Sequence, residues 1–183
     1  LFRTITTKEL TDPTATKAAV DRMAAQLESA GYHVQAMASE PNLFMHRDGE
    51  RSKIRWSGEH FTVLDTEFTV EELLSTAEAM PDLFSPNVLL RPIVQDAILP
   101  TIAYIAGPGE IAYLSELQYA YGVFGVPVPA VLPRHSATFM PPSVIRFLDK
   151  NSLDAKFFLR PWRVIESEPT VRTADTQGAE LFA

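Results

Sequence analysis

Two short segments of the chain carry most of the residues that could bind a charged ligand. One is the turn at residues 107–110 (Gly-Pro-Gly-Glu), and the other is the segment at residues 133–138 (Pro-Arg-His-Ser-Ala-Thr). Glycines let a ligand approach the backbone closely, while guanidinium and hydroxyl groups bind carboxylates or phosphates. The two segments together therefore predict a site for an anionic ligand.

The elements around these segments form a strand, helix, strand pattern. Residues 101–106 and 128–132 have the apolar, β-branched character of strands, and a helical stripe of apolar residues at 111–124 ends at Gly125. A crossover of this kind joins parallel strands, and ligands bind at the carboxyl ends of such strands. Both segments should therefore open on one rim of the sheet.

Arg91 reaches the same rim under two alternative interpretations of its surroundings. Residues 88–90 form either a short strand followed by a helix from Pro92, or part of a helix that starts at Pro86 and kinks at Pro92. Including the neighbouring polar side chains, we expect the binding site to draw on Arg91, Gln95, Asp96, Gly107, Gly109, Glu110, Tyr113, Arg134, Ser136 and Thr138. No catalytic group is singled out by residue type.

Each of these features also has a purely structural interpretation. The two arginines are also typical of exposed or ion-paired surface residues, and Gln95 and Asp96 of the polar face of a short helix. Gly107, Gly109 and Ala112 match the glycine-rich pattern of dinucleotide-binding turns, but residues 126–129 hold no acidic residue for the ribose. A plain tight turn is therefore the default for the motif alone, and a nicotinamide-dependent oxidoreductase is the weaker functional alternative.

Composition excludes several classes of site. The 183 residues include 16 Lys and Arg against 23 Asp and Glu, a net charge of −7, which argues against non-specific nucleic-acid binding. The chain has no cysteine, and its four histidines are scattered, so we expect neither a disulfide nor a metal site. No apolar run is long enough to span a bilayer. We expect a cytoplasmic protein and, since the first residue is not Met, a fragment.

The remaining chain gives clear local signals. A helix is predicted from a cap at Thr11 or Asp12 to Gly31, and an extended segment at residues 32–37. Residues 42–65 predict a small antiparallel ribbon with an Asp-Gly turn and a third strand at residues 61–64. A capping box, Thr69 with Glu72, starts a helix that ends near residue 80, and another helix is predicted at residues 142–150. Residues 154–183 are expected to form an irregular tail.

Longer strings of sequence resemble a known family. The runs at residues 84–101 and 103–113, with their Leu-Arg-Pro-Ile-Val-Gln-Asp and Ala-Gly-Pro-Gly-Glu-Ile-Ala-Tyr strings, are similar to the bacillithiol biosynthesis cysteine-adding enzyme family. The similarity continues through residues 124–127 and 133–138 and covers roughly residues 14–153. The tail is not matched.

The resemblance implies an α/β fold: a partial Rossmann-like parallel sheet with a βαβ unit, plus the small antiparallel hairpin region. Residues 1–153 would form the carboxy-terminal half of a ligase core, the middle of a longer enzyme that joins cysteine to glucosaminyl malate through an amide bond. It implies small-molecule substrates, ATP or ADP as the candidate cofactor, and a homodimer of the full-length enzyme. In this hypothesis Arg91 and Arg134 hold anionic groups and Glu110 binds an amine. The alternative is a truncated, non-catalytic binding or oligomerisation module of the same fold.

Overall fold

A computed structural model describes residues 1–35, 37–150, 152–160 and 164–165. The chain divides into two compact units, Leu1–His135 and Ser136–Ala183. Among the described residues, the first unit holds seven strands, six α-helices and a 3₁₀ helix at Pro81–Leu83, and its core unites both sheets and the helices around them.

Two helices precede the sheets. α1 spans Phe2–Thr11 and α2 spans Ala15–Ser29, with Gly31 in the left-handed conformation (φ 84°) just beyond α2. The predicted side-chain cap at Thr11 or Asp12 is wrong, since Thr14 occupies the cap position; its hydroxyl donates to Asp12 and does not cap an N–H of the helix. α1 was not expected, because its threonine-rich sequence has low helix propensity. Ile5 and Leu10 are buried, so packing stabilises it. The described part of the segment at residues 32–37 forms no strand.

Five antiparallel strands form a larger sheet than the predicted ribbon. The strands are β1 (Leu43–Arg47), β2 (Glu50–Trp56), β3 (Phe61–Val63), β4 (Thr66–Phe68) and β5 (Phe84–Pro86), in the order β4-β3-β2-β1-β5. The predicted Asp-Gly turn joins β1 and β2, with Asp48 at φ 53° and Gly49 at φ 80°. Both left-handed residues match a tight hairpin turn, which sets the register of the pair.

Two helices flank β5. α3 (Val70–Ala79) begins with the predicted capping box, in which Thr69 Oγ1 accepts from the Glu72 N–H and the Thr69 N–H donates to the Glu72 carboxylate. α4 (Leu90–Ile98) follows β5, and Asn87 Oδ1 accepts hydrogen bonds from the N–H groups of its first turn. Neither predicted alternative for residues 88–90 is correct. Residues 88 and 89 form a turn, and the helix begins at Leu90. Pro92 lies in the first turn of the helix, where its missing N–H would have no partner in any case.

The predicted strand, helix, strand unit is present with shorter elements. β6 (Ala103–Ala106) and β7 (Ala130–Pro133) pair in parallel, joined by α5 (Pro108–Glu116) and α6 (Gln118–Phe124). The single predicted helix is divided at Leu117, and Gly125 ends α6 in the left-handed conformation at φ 69°. Although their apolar sequence is typical of parallel strands that are buried on both faces, β6 and β7 are open on one face, where Ile105 is 72% exposed and Leu132 is 54% exposed.

The second unit contains the predicted helix α7 (Pro142–Lys150) and a 3₁₀ turn at Ala155–Leu159. Most of the tail predicted at residues 154–183 lies outside the described residues. No helix in the described part of the chain has the length and apolar composition that a membrane crossing requires.

Candidate functional site

The two predicted ligand-binding segments meet at the carboxyl ends of β6 and β7. Ala106 and Pro133, the last residues of the two strands, are register partners. The Arg134 N–H donates to the Ala106 carbonyl over 2.8 Å, which extends the ladder beyond the last pair. The turn at residues 107–110 therefore lies beside the start of the segment that follows β7.

The Arg134 side chain lies over Gly107. A Cβ built on Gly107 would stand 2.9 Å from Arg134 Nη2 and 3.6 Å from Glu110 Oε2. The φ of Gly107, −76°, is open to any residue, so the glycine matters here because it lets the guanidinium lie close to the backbone; a larger residue would displace the end of the Arg134 side chain. At Gly109 the same added atom would meet nothing within 4 Å, so the space beside that residue is open.

One carboxylate oxygen of Glu110 is already used to cap its own helix. Its Oε2 accepts a hydrogen bond of 2.9 Å from the Gly107 N–H, which is one half of a capping box. Pro108 has no N–H to offer. A phosphate at this turn would meet a carboxylate and a reduced set of donors, so the turn suits a cationic amine better than a phosphate.

Tyr113 brings the neighbouring helices into the same site. Burial raises the pKa of its phenol above the ordinary value, the charges of Glu110 and Asp96 raise it further, and the Arg91 guanidinium lowers it. The charge of Arg91, in the first turn of α4, therefore influences the Tyr113 phenol on α5. Arg91, Glu110 and Arg134 are exposed, so a ligand can reach all three.

Asp96 lies inward from this rim and has two tyrosine partners. Its two oxygens accept hydrogen bonds of 2.5 Å from the hydroxyls of Tyr104 on β6 and Tyr121 on α6, and only 7% of the residue is exposed. Gln95 Nε2 donates to the Tyr104 hydroxyl over 3.3 Å. Burial is the main cause of a raised pKa at both tyrosines, and the hydrogen bonds to Asp96 raise it further. Both phenols therefore stay neutral donors.

Residue type and order along the chain do not assign Tyr104 and Tyr121 to the site. A signal was available: Asp96 follows Leu89 by seven residues and Ile93 by three, which places it on the apolar face of α4. A carboxylate on such a face needs buried donors. Tyrosines on the next elements are suitable ones.

The other two predicted residues, Ser136 and Thr138, belong to the second unit, and both are exposed. No group of three or more His, Asp or Glu side chains within the described ranges could hold a metal ion. The arrangement in the first unit offers two guanidinium groups, a carboxylate and an open glycine turn, a combination that can hold a ligand carrying both an acid and an amine.

Comparisons with known proteins identify relatives of this chain. Residues 1–135 match the family model described as "Bacillithiol biosynthesis BshC, N-terminal Rossmann-like domain". A protein of Chlorobaculum tepidum is 46% identical over 128 residues, covering 68% of this chain and 23% of the relative. A protein of Chloroherpeton thalassium is 37% identical over 155 residues, covering 83% of this chain and 28% of the relative.

A protein of Salinibacter ruber matches the whole chain at 34% identity over 186 residues, which is 34% of its own length. All three are named "Putative cysteine ligase BshC". The chain thus spans about a third or less of the curated relatives it matches. Because the family model covers residues 1–135, the chain belongs to the BshC family of bacillithiol biosynthesis, in the part that forms the N-terminal Rossmann-like domain.

Proposed function

We propose that this chain is the carboxy-terminal half of the Rossmann-like core of a cysteine ligase, which joins cysteine to glucosaminyl malate through an amide bond. Family membership and the names of the relatives support a ligase of bacillithiol biosynthesis. Since those relatives are much longer, the activity belongs to the longer protein, which we propose to be a cytoplasmic homodimer. This chain would contribute one wall of the pocket.

The observation that carries this proposal is the position of Arg134 over Gly107, at the carboxyl ends of two parallel strands. Ligands of open α/β sheets bind there because loops and helix amino termini converge. Arg91 and Arg134 would hold carboxylate or phosphate groups of the substrates, while Glu110 would bind the amine of cysteine or glucosamine. Gly109 leaves room for the ligand, and Gln95 is proposed as a further polar contact.

The open face of the parallel pair supports the proposal that the core continues in the longer protein. Parallel sheets in α/β proteins are covered on both faces, because their crossover helices lie on both. Here Ala106 faces inward and is buried, whereas Ile105 and its register partner Leu132 are exposed. A half-core would leave such a face for the remaining strands and helices.

An amide bond requires an activated carboxyl group, which ATP could supply by phosphoryl or nucleotidyl transfer. The turn at residues 107–110 fits a phosphate poorly, because Glu110 caps it and Pro108 lacks a donor. The turn is therefore a poor binding site for the phosphates of a nucleotide. The role of this chain's residues is to bind and orient: the arginines fix the acid groups, and the carboxylate positions the amine.

The test is Arg134→Ala in the complete, longer enzyme, with Arg55→Ala as the matched control. Loss of a charge-assisted contact to a substrate should raise KM for one substrate about tenfold or more. Arg55 is exposed on β2, away from the rim, so its loss should change neither KM nor kcat. Unchanged apparent affinity for both substrates in Arg134→Ala would remove Arg134 from the site.

A further inference from the structure

A second cluster of cations lies on the antiparallel sheet and takes no part in the proposed ligase site. Arg51, Lys53 and Arg55 alternate along β2, so all three project from the face opposite the buried Ile54. Two of them, Arg51 and Lys53, line a cavity of about 370 Å³. The other lining residues are Met37, Ser39, Pro41, Leu43, Phe44, Asn87 and Val88. We call this space the sheet cavity.

Arg51 is held in place within the sheet cavity. Its guanidinium carbon stands 3.8 Å from the centre of the Phe44 ring, its Nε donates to Ser85 Oγ over 2.9 Å, and its Nη2 donates to the Pro86 carbonyl over 3.0 Å. These contacts use one edge of the guanidinium and leave other N–H groups available. Arg51 is thus a cation whose orientation is already set, which lowers the entropy cost of binding an anion.

Lys53 stands beside this fixed guanidinium. It is the register partner of Phe44, whose ring Arg51 covers, so both cations converge on one aromatic side chain. No carboxylate pairs with Arg51 or Lys53 within the described ranges, although the chain carries a net charge of −7. Ser39 adds a hydroxyl to the lining. Two neighbouring cations without a counter-ion repel each other, and an anion between them relieves that repulsion.

We propose that the sheet cavity binds a small dianion, a dicarboxylate or a phosphate, through Arg51 and Lys53. The volume is that of a small-molecule site. The Arg51 guanidinium already covers one face of the Phe44 ring, and Trp56 packs against Phe61, which favours a small anion over stacked nucleic-acid bases. The proposal does not depend on the ligase function, since it uses none of the residues at the rim of the parallel strands.

The experiment titrates this chain with succinate and, separately, with inorganic phosphate, by isothermal calorimetry and amide chemical shifts. Lys53→Gln and Arg51→Gln should each weaken binding about tenfold or more. Arg55→Gln is the matched control, because Arg55 is exposed on the same strand and does not line the sheet cavity. Lys53→Gln should keep the native thermal unfolding midpoint, since Lys53 is exposed and makes no ion pair.

Each outcome decides the proposal. Binding of succinate alone identifies a dicarboxylate site, and binding of phosphate alone identifies a phosphate site, provided that Lys53→Gln weakens it and Arg55→Gln does not. If neither succinate nor phosphate binds, the proposal is overturned. Equal weakening by Lys53→Gln and Arg55→Gln also overturns it, because that result describes diffuse surface charge rather than a site.

Discussion

At the scale of single residues, buried carboxylates are the most informative side chains of this protein. Asp96 and Glu9 are both buried, and neither forms an ion pair within the described residues. Asp96 is satisfied by two phenol hydroxyls, and Glu9 by Thr16 Oγ1 and by the backbone and side-chain amides of Asn42. Hydrogen-bond donors thus replace cations, and each carboxylate joins separate elements: Asp96 links α4 to β6 and α6, and Glu9 links α1 to α2.

Replacing Asp96 by Ala should strongly destabilise the first unit. The change leaves the hydroxyls of Tyr104 and Tyr121 without their acceptor, and unsatisfied buried polar groups should lower the free energy of unfolding by about 2–4 kcal/mol. Urea unfolding measures this loss. Asp82→Ala is the control, because Asp82 is exposed and should change stability little. A loss at Asp96 no larger than at Asp82 would contradict the assigned role.

Replacing Glu9 by Gln should stabilise the protein at neutral pH. Burial raises the pKa of the Glu9 carboxyl above 4.5, against the hydrogen bonds from Thr16 and Asn42, which lower it. A raised folded-state pKa gives stability that is fully present below the unfolded-state pKa and is lost as the pH rises through the folded-state pKa. The neutral amide of glutamine has an oxygen that can accept from Asn42 and an NH₂ group that can donate to the Thr16 hydroxyl. Because it does not ionise, it does not lose stability as the pH rises.

The advantage of Glu9→Gln over the native chain should therefore be larger at pH 7 than at pH 4, in urea unfolding at both values. Exposed Glu78→Gln provides the matched control and should show little pH-dependent difference. An advantage that is the same at both pH values would mean that the charge of Glu9 carries no cost in the folded state.

At the scale of elements, some helices are stabilised by local capping signals and others by packing against distant residues. α3 begins at its capping box, a signal contained within four residues, and the observed bounds follow the prediction. α1 has no comparable cap, and its formation depends on burying Ile5 and Leu10 against the core. Helices of the first kind can be predicted from sequence, whereas helices of the second kind need their partners.

Removing the cap of α3 tests this difference. Thr69→Ala deletes the acceptor of the Glu72 N–H and should lower the free energy of unfolding by about 1 kcal/mol. Ser75→Ala, at an exposed position of the same helix, should have no such cost, because alanine has the higher helix propensity. Urea unfolding of both variants gives the comparison. Equal stability of the two variants would show that the capping box does not stabilise α3.

At the scale of the whole molecule, the two sheets are covered differently. The antiparallel sheet places its apolar side chains in the core, including Leu43, Ile54 and Phe61. The parallel pair buries Ala106 but leaves Ile105 and Leu132 exposed. An apolar sheet face with free edges is a surface for association. The chain by itself should therefore self-associate or bind hydrophobic dyes through this face.

Ile105→Lys should reduce that association without loss of stability. Ile105 is 72% exposed, so a charge there should change the free energy of unfolding by no more than about 0.5 kcal/mol. Sedimentation velocity over a range of concentrations measures the association. Met80→Lys removes another exposed apolar side chain, 48% exposed and outside the parallel pair, and should leave association unchanged. If both variants associate alike, the face of the parallel pair is not the contact surface.

The candidate site was predictable in its order along the chain and only partly in its contacts. The carboxyl ends of parallel strands lie at the same edge of a sheet, so the glycine turn and Arg134, which each follow such a strand, were predicted at one edge. The register of β6 and β7 places them side by side. The partners of Asp96 did not follow, because hydrogen bonds between residues 8 and 25 positions apart depend on how the elements pack. Whether Ser136 and Thr138 join the site remains a prediction.

The sequence alone determined the features that depend on neighbouring residues: the hairpin turn at Asp48 and Gly49, the cap of α3, the end of α6 at Gly125, and the family resemblance. Each is a matter of local dihedral angles, hydrogen bonds within a few residues, or residue order. Only the tertiary structure decided the breadth of the antiparallel sheet, the formation of α1, the burial of Asp96 between two tyrosines, and the exposure of the parallel pair. Those depend on strand pairing and on which surfaces find a partner, and the free energy of such contacts comes from residues far apart in the chain.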